Sequence, residues 1–486
     1  MKNFSAGKMT AVAILLWVAT AIAAPAQTFN TLVNFDGTNG GNSTASLVQG
    51  PDGSLYGTST SGGTYGGGTV FKLTQAGVLT TLYNFCSESE CADGRYPEGA
   101  LALGTDGNFY GTTLQGANNI CGCGTLFKIT PEGRLTTIHR FDGTDGSNPV
   151  AGLIQAFDDS FYGTTVAGGA NGEGTLFKIT RDGALTTLYA FCAQPMCSDG
   201  DQPTGTLVQG VDGSFYGTTG FGGLGNSCSF IEAPGCGTVF RITPEGKLTT
   251  LHSFCETDCS DGAIPWAGLL LARDGNFYGV TPQGGKGIGG TVFKITSNGK
   301  LTTIYSFSCM PGCGDGGSPF GQLVQGTDSA LYGTTGGGGA YGDGTIFRLT
   351  ARDSLTTLHN FNGTDGDSPF SGLLQATSGI FYGTTFQGDS DACGNGCGTL
   401  YSLDMGLGPF VTFVRAAGKV GQTGGILGQG FTGTTSVSFN GIAASFTVVS
   451  DTFIKATVPA GATTGYVTVA TPSGTLTSNV PFHVIP

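Results

Sequence analysis

The chain has 486 residues, of which 88 are glycine and only 11% are charged, and its formal net charge is −13 with a pI near 4.6. An acidic chain without clustered Lys/Arg offers no footing for nucleic acid or an anionic lipid surface. Glycine at this level without a three-residue period excludes collagen and instead indicates tight turns between many short strands.

Residues 1–26 read as a secretory signal peptide. Lys2 and Lys8 supply the positive start, Ala11–Ala24 the apolar run, and Ala24-Pro25-Ala26 a small-x-small cleavage site before Gln27. The run is too short for a comfortable membrane span, so no membrane insertion is expected of the mature chain. Cleavage removes two of the 20 basic residues and none of the 33 acidic ones, leaving −15.

From residue 27 to 404 one unit recurs. Its marker is Phe/Leu-Tyr-Gly-Thr-Thr or a near variant, with tyrosines at 56, 110, 162, 216, 278, 332 and 382, spaced by 50 to 62 residues. In the copy Ala100–Phe141, Leu101-Ala102-Leu103 is a short first strand and Thr105-Asp106-Gly107 a hairpin turn. Asn108–Thr113 is the second strand, Gly124–Thr130 the alternating third, and Leu135–Phe141 the fourth after Pro131-Glu132-Gly133. Four antiparallel strands in each of seven copies predict an all-β, seven-bladed β-propeller. The last copy lacks its fourth strand, while Phe29–Phe35 supplies an extra one at the start, so the N-terminal strand is expected to close the ring.

This strand order puts the fourth-to-first connections and the Gly-rich second-to-third loops on one face. All 14 cysteines fall there in near-neighbour pairs: Cys86/Cys91, Cys121/Cys123, Cys192/Cys197, Cys228/Cys236, Cys255/Cys259, Cys309/Cys313 and Cys393/Cys397. Pairs of this kind in an exported chain are expected to be disulfides. The one-residue spacer of Cys121-Gly122-Cys123 makes that pair the hardest to bridge. Zinc is the rival reading, but no histidine sits near any pair to complete a site. The opposite face carries only tight Asp-Gly and Pro-Glu-Gly turns.

Residues 405–486 contain no cysteine and read as seven short strands, which predicts an immunoglobulin-like β-sandwich. Gly425-x-Leu427-Gly428-x-Gly430-Phe431, then Val437-x-Phe439-x-Gly441 and Val458-Pro459-x-Gly461, resemble the IPT/TIG family, which implies an extracellular accessory module. The repeats themselves, with Asp-Gly, Phe-Tyr-Gly-Thr-Thr, Gly-Thr-Val-Phe-Lys-Ile-Thr and Leu-Thr-Thr-Leu-Tyr, resemble the GloVer tandem repeats. That resemblance implies a bacterial exported protein, secreted to the exterior or periplasm, and little about chemistry.

The search for chemistry yields few candidates. His139, His252 and His359 share one repeat position with Val33, Tyr83, Tyr189 and Tyr305, so they read as packing residues. The oxygen-rich loops at 141–146 and 361–367 leave Ca²⁺ open as a ligand, although Asp-Gly and Asn-Gly are also turn formers. No other cofactor, no catalytic set and no metal set is expected. Glu98 and Glu232 are loop acids outside the repeat, without an evident pair. The strongest candidates follow the connector prolines just ahead of the first strand, where Glu98, Trp266, Phe320 and Phe370 break the repeat at the expected channel mouth. The expected function is a monomeric, non-catalytic binding or scaffold protein with a glycan or extracellular protein as partner. An extracellular carbohydrate-active enzyme and a purely structural surface protein are the alternatives.

Overall fold

The structure, a computed structural model, describes residues 27–116, 121–225, 228, 235–309, 312–350, 354–388, 393–394 and 396–485. The signal peptide read at residues 1–26 and the Glu232 side chain lie outside them. Among the described residues the regular structure is strand, apart from short 3₁₀ turns: Ser89–Cys91 and Pro195–Cys197 inside disulfide loops, and Cys259–Asp261 starting at a closing cysteine. No helix among them is long and apolar enough to cross a membrane.

Each repeat folds as a four-stranded antiparallel sheet in sequence order. In the second copy the strands are Ala102–Leu103, Phe109–Thr113, Thr125–Ile129 and Leu135–Arg140. Seven such sheets form a propeller-like array. The last takes Leu374–Gln375, Phe381–Thr384 and Thr399–Asp404 from its own copy, and its outer strand is Thr28–Asn34, paired antiparallel from Thr28↔Asp404 to Asn34↔Thr399.

The repeated phrase explains how one sheet seats on the next. Its second strand is buried throughout in five-residue copies such as Phe109–Thr113, because both sheet faces meet neighbours. The tyrosine ring stacks on the phrase's first residue in the following copy: Tyr56 on Phe109 at 4.1 Å, Tyr110 on Phe161 at 4.0 Å, Tyr162 on Phe215 at 4.1 Å. The glycine is required by close approach, since a Cβ on Gly111 would lie 2.6 Å from the Phe127 ring. The last threonine makes a buried hydroxyl pair with the first residue of the third strand, as in Thr113–Thr125 at 2.8 Å and Thr335–Thr345 at 2.8 Å.

Inner-strand glutamines clasp adjacent sheets. Gln209 accepts from the Phe157 N–H at 3.0 Å, and Gln375 from the Thr327 N–H at 3.0 Å. The same clasp joins the last sheet to the first, where Gln49 accepts from the Thr377 N–H at 2.9 Å and donates to its hydroxyl at 3.0 Å. Thr384 reaches Ser43 across the same junction at 3.2 Å.

The C-terminal segment forms two further four-stranded sheets and a parallel pair, Ala417–Lys419 with His483–Ile485. The two sheets close on a shared core that includes Ile426, Phe431, Phe439, Ile454, Val467 and Phe482. This segment sits on the turn face of the array, which is therefore covered rather than plain. Arg415 bonds Asp159 at 2.6 Å, Thr452 donates to the Pro51 carbonyl at 2.7 Å, and Arg273 donates to the Asn479 carbonyl at 2.6 Å. Between this segment and the inner strands lies a cavity of about 470 Å³, lined by Leu101, Leu153, Gln209, Phe413, Val414 and Leu427 among others.

Candidate ligand face

The face opposite the C-terminal segment carries the variable loops. Here every connector turns through a left-handed residue before entering the first strand: Asn42, Tyr96, Asn148, Gln202, Ile264, Ser318 and Ser368, with φ between 52° and 61°. A non-glycine residue in that region is uncommon, and for β-branched Ile264 it is costly. The turn is held by backbone bonds: the Ile264 N–H donates to the Cys236 carbonyl at 2.8 Å, and the Ser368 N–H to Asp343 at 3.0 Å. Two residues later the chain reaches the positions singled out from sequence, and just beyond them neighbouring copies almost touch. A Cβ on Gly99 would lie 2.6 Å from the Ala151 carbonyl oxygen.

Trp266 is exposed (38%) and packs edge-on against Phe221, with ring centroids 6.3 Å apart. Phe320 and Phe370 are half-buried and meet at 5.1 Å, and Phe370 also contacts Phe386 at 5.5 Å. The sequence reading missed Phe221 and Phe386, although each breaks the repeat just after the Thr-Thr pair. The signal applied to the connectors would have found them too. Glu98 is half-buried, its carboxyl raised by burial, and its backbone carbonyl accepts from Thr44 at 3.3 Å.

All seven cysteine pairs are disulfides: Cys86–Cys91, Cys121–Cys123, Cys192–Cys197, Cys228–Cys236, Cys255–Cys259, Cys309–Cys313 and Cys393–Cys397. The short Cys121–Cys123 spacer is accommodated with the two Cα atoms 5.1 Å apart, and among the described residues no cysteine is left free. Reading the pairs only as staples on surface loops needs correction. Cys123, Cys236 and Cys397 are buried among core side chains, Cys123 beside Leu126 and Phe141, Cys397 beside Phe35 and Leu400. The reason is their place in the chain: each directly precedes the glycine that opens a third strand, so its sulfur lies where two sheets meet. Each also offers its backbone carbonyl to the next connector, Cys123 to the Asn148 N–H at 2.9 Å and Cys397 to the Asn42 N–H at 2.8 Å. Cys313 differs, being half-buried in a fourth-to-first connection, where its carbonyl accepts from the Gly316 N–H at 2.9 Å and the Gly339 N–H at 2.7 Å. Cys86, Cys91, Cys192 and Cys197 hold left-handed backbone, so their bridges clamp loops that would otherwise relax. A set of disulfides this dense fits an oxidising compartment.

The three repeat-position histidines do more than pack. His139 bonds Asp145 at 2.7 Å, His252 bonds Asp261 at 2.8 Å and His359 bonds Asp365 at 3.0 Å. Where the position holds tyrosine, its hydroxyl takes the equivalent acid: Tyr83–Asp93 at 2.8 Å, Tyr189–Asp199 and Tyr305–Asp315 at 2.7 Å. In the copy with Val33 the acid's place is held by Asn39, which accepts from the Asp36 N–H at 3.0 Å. Burial lowers the His359 pKa against the opposing pull of Asp365, so this imidazole is a neutral tether. The same loops are the sequence candidates for Ca²⁺. Their oxygens turn inward: Asp142 accepts from the Thr144 N–H at 2.8 Å and hydroxyl at 2.6 Å, and Asp145 from the Asp142 N–H at 3.0 Å.

One pair of acids escapes the sequence reading altogether. Asp201 is 7% exposed, and its carboxyl is pushed up to about 7 by burial and then by the adjoining Glu173 carboxylate.

Solved structures resemble this one at low identity. A fungal alcohol oxidase of the AA5 family, in complex with copper, aligns with a TM-score of 0.51 at 14% identity, covering 93% of this chain and 98% of its own. The periplasmic gluconolactonase of Pseudomonas aeruginosa aligns with a TM-score of 0.46 at 18% identity, over 73% of this chain and 96% of its own. The extracellular domain of a hybrid two-component system from B. thetaiotaomicron gives 0.49 at 11%, over 95% and 59%. The first likeness establishes the fold alone. Among the described residues, one cluster of three metal-ligating side chains occurs, Cys236, Cys255 and Cys259, whose sulfurs are held in disulfides. No curated protein matches the chain. The model of the Gloeobacter/Verrucomicrobia repeat matches residues 19–231 and 226–448, and the chain belongs to that repeat family.

Proposed function

We propose that the protein is a secreted, non-catalytic binding protein: a seven-bladed β-propeller carrying an immunoglobulin-like module of the IPT/TIG type, with a glycan or extracellular protein held on the disulfide-bearing face. The observation that carries this reading is the aromatic content of the positions that escape the repeat. Trp266 is exposed and backed by Phe221, and Phe320, Phe370 and Phe386 form a second group on loops of the same face. Aromatic rings of this kind stack on sugars or seat a protein side chain. The histidines and most loop acids are meanwhile engaged in structural tethers, which favours recognition over turnover.

The test is a glycan array together with a panel of extracellular proteins, probed with the mature chain. A ligand found there should bind at least tenfold more weakly to Trp266→Ala or Phe370→Ala, with melting temperature and disulfide content unchanged. Unaltered affinity in the double variant overturns the aromatic site. Turnover of a polysaccharide that is abolished by Glu98→Gln would replace the binding reading with that of an enzyme.

A further inference from the structure

Seven copies allow each position to be compared with itself. At every junction, the residue before the glycine that closes a second-to-third loop offers its carbonyl oxygen to the connector leading into the next copy. At two junctions these acceptors are acids: Glu173 accepts from the Gln202 N–H at 3.2 Å, and Asp343 from the Ser368 N–H at 3.0 Å. The connector residue just before that donor is again an acid in both, Asp201 and Asp367. At the other five junctions neither position is acidic; glycine or cysteine faces a small residue or, once, Arg95. Acids therefore occur at both positions or at neither.

Two carboxylates brought together in a poorly solvated place repel each other and lose hydration. An acid needed only to cap a turn would occur singly. At the first junction Asp201 is 7% exposed, and its Oδ1 is shut off from solvent with no hydrogen-bond partner. A buried, unpartnered carboxylate oxygen beside a second carboxylate is a ligand position awaiting a positive charge. Hard oxygen donors on loops, free of imidazole and thiolate, match a calcium-type cation, and the two carboxylates can supply up to about four of its six to eight ligands when both are bidentate.

We propose that Glu173 and Asp201 together bind a divalent cation of the Ca²⁺ type. The cation would bridge the loop of one sheet to the connector of the next. Asp201 is paired through its backbone with Phe221, its N–H donating to the Phe221 carbonyl at 3.0 Å, and cation occupancy is measurable whether or not the face binds a glycan or protein. At the other acidic junction Asp343 and Asp367 are half-buried and Asp367 Oδ1 accepts from the Ser368 hydroxyl at 2.8 Å, so that pair lacks the unpartnered buried oxygen and stands outside the proposal.

The experiment is calorimetric titration of CaCl₂ into the mature, oxidised chain at pH 8, after EDTA treatment and buffer exchange. One equivalent is expected to bind, with a melting temperature that climbs as Ca²⁺ is raised. Asp201→Asn should remove it, with far-ultraviolet circular dichroism unchanged. Should this variant fail to fold, Glu173→Gln tests the same site from the other side of the junction. The proposal is overturned if Ca²⁺, Mg²⁺ and Mn²⁺ produce neither binding heat nor a melting shift, or if the equivalent persists in the folded Asp201→Asn protein.

Discussion

Tyr401 stands where the other six copies place phenylalanine, and it is fully buried with no hydrogen-bond partner for its hydroxyl. Burial raises its pKa, so the phenol stays protonated, an unsatisfied donor beside Gly383, where a Cβ would come within 2.4 Å of its oxygen. An unpaired buried hydroxyl costs on the order of 1 kcal/mol or more. Tyr401→Phe should therefore stabilise the protein by about 1 kcal/mol, seen as a higher denaturant midpoint at unchanged slope. Lower stability would mean that the hydroxyl has a partner, such as a buried water. At this scale the sequence is legible wherever the copies agree. The Tyr or His opposite Asp in six copies, and Val33 with Asn39 in the seventh, is a correlation present in the sequence itself. Treating the histidines as mere packing overlooked it, because the acid lies six to ten residues downstream in a loop.

At the scale of the element, the outer strands share one irregularity. Register shifts in every outer strand, at Leu82, Ile138 and Leu188 for example, leave one residue unpaired just before the tethering Tyr or His. The extra residue turns the side chain toward its acid, a use of β-bulges that alternation alone does not reveal. The N-terminal strand keeps the same shift between Thr31 and Val33, so it is a full member of the last sheet. Phe35, at its end, is 0% exposed and packs on Phe71 of the first sheet at 5.4 Å. Phe35→Ala is expected to cost about 3–5 kcal/mol, as for other buried phenylalanines. A single cooperative transition shifted to lower temperature is the expected melting profile. A loss below about 1 kcal/mol would mean that this strand contributes little to the array.

On the scale of the whole molecule, the strand pattern was readable because every sheet of the array is local in sequence except one. The seating of the C-terminal segment was not, since contacts such as Arg415–Asp159 and Thr452–Pro51 join distant parts of the chain and no repeat announces them. Arg415 carries much of that contact: its guanidinium bonds Asp159 at 2.6 Å and also donates to the Phe157 carbonyl at 3.3 Å, with a side chain only 8% exposed. Removing it leaves Asp159 without this partner and opens space beside the inner strands. Arg415→Ala should speed proteolytic cleavage between residues 405 and 409 severalfold while the array melts as before. Equal cleavage rates in the two proteins would assign the docking to the hydroxyl bonds from Thr452 to the Pro51 carbonyl and from Thr377 to the Gly428 carbonyl.

The pairing of Thr28–Asn34 with Thr399–Asp404 also sets the order in which the molecule can be finished. The strand Thr28–Asn34 must wait, unpaired along its length, until the last repeat has been made. During that interval it is interchangeable with the same strand of any neighbouring copy. Two chains that trade first strands satisfy every hydrogen bond and differ from the monomer only in which molecule the strand came from. The balance between closing on itself and closing on a neighbour then depends on how crowded the chains are while they fold, so a local feature of one sheet edge becomes a concentration-dependent choice between monomer and reciprocal dimer.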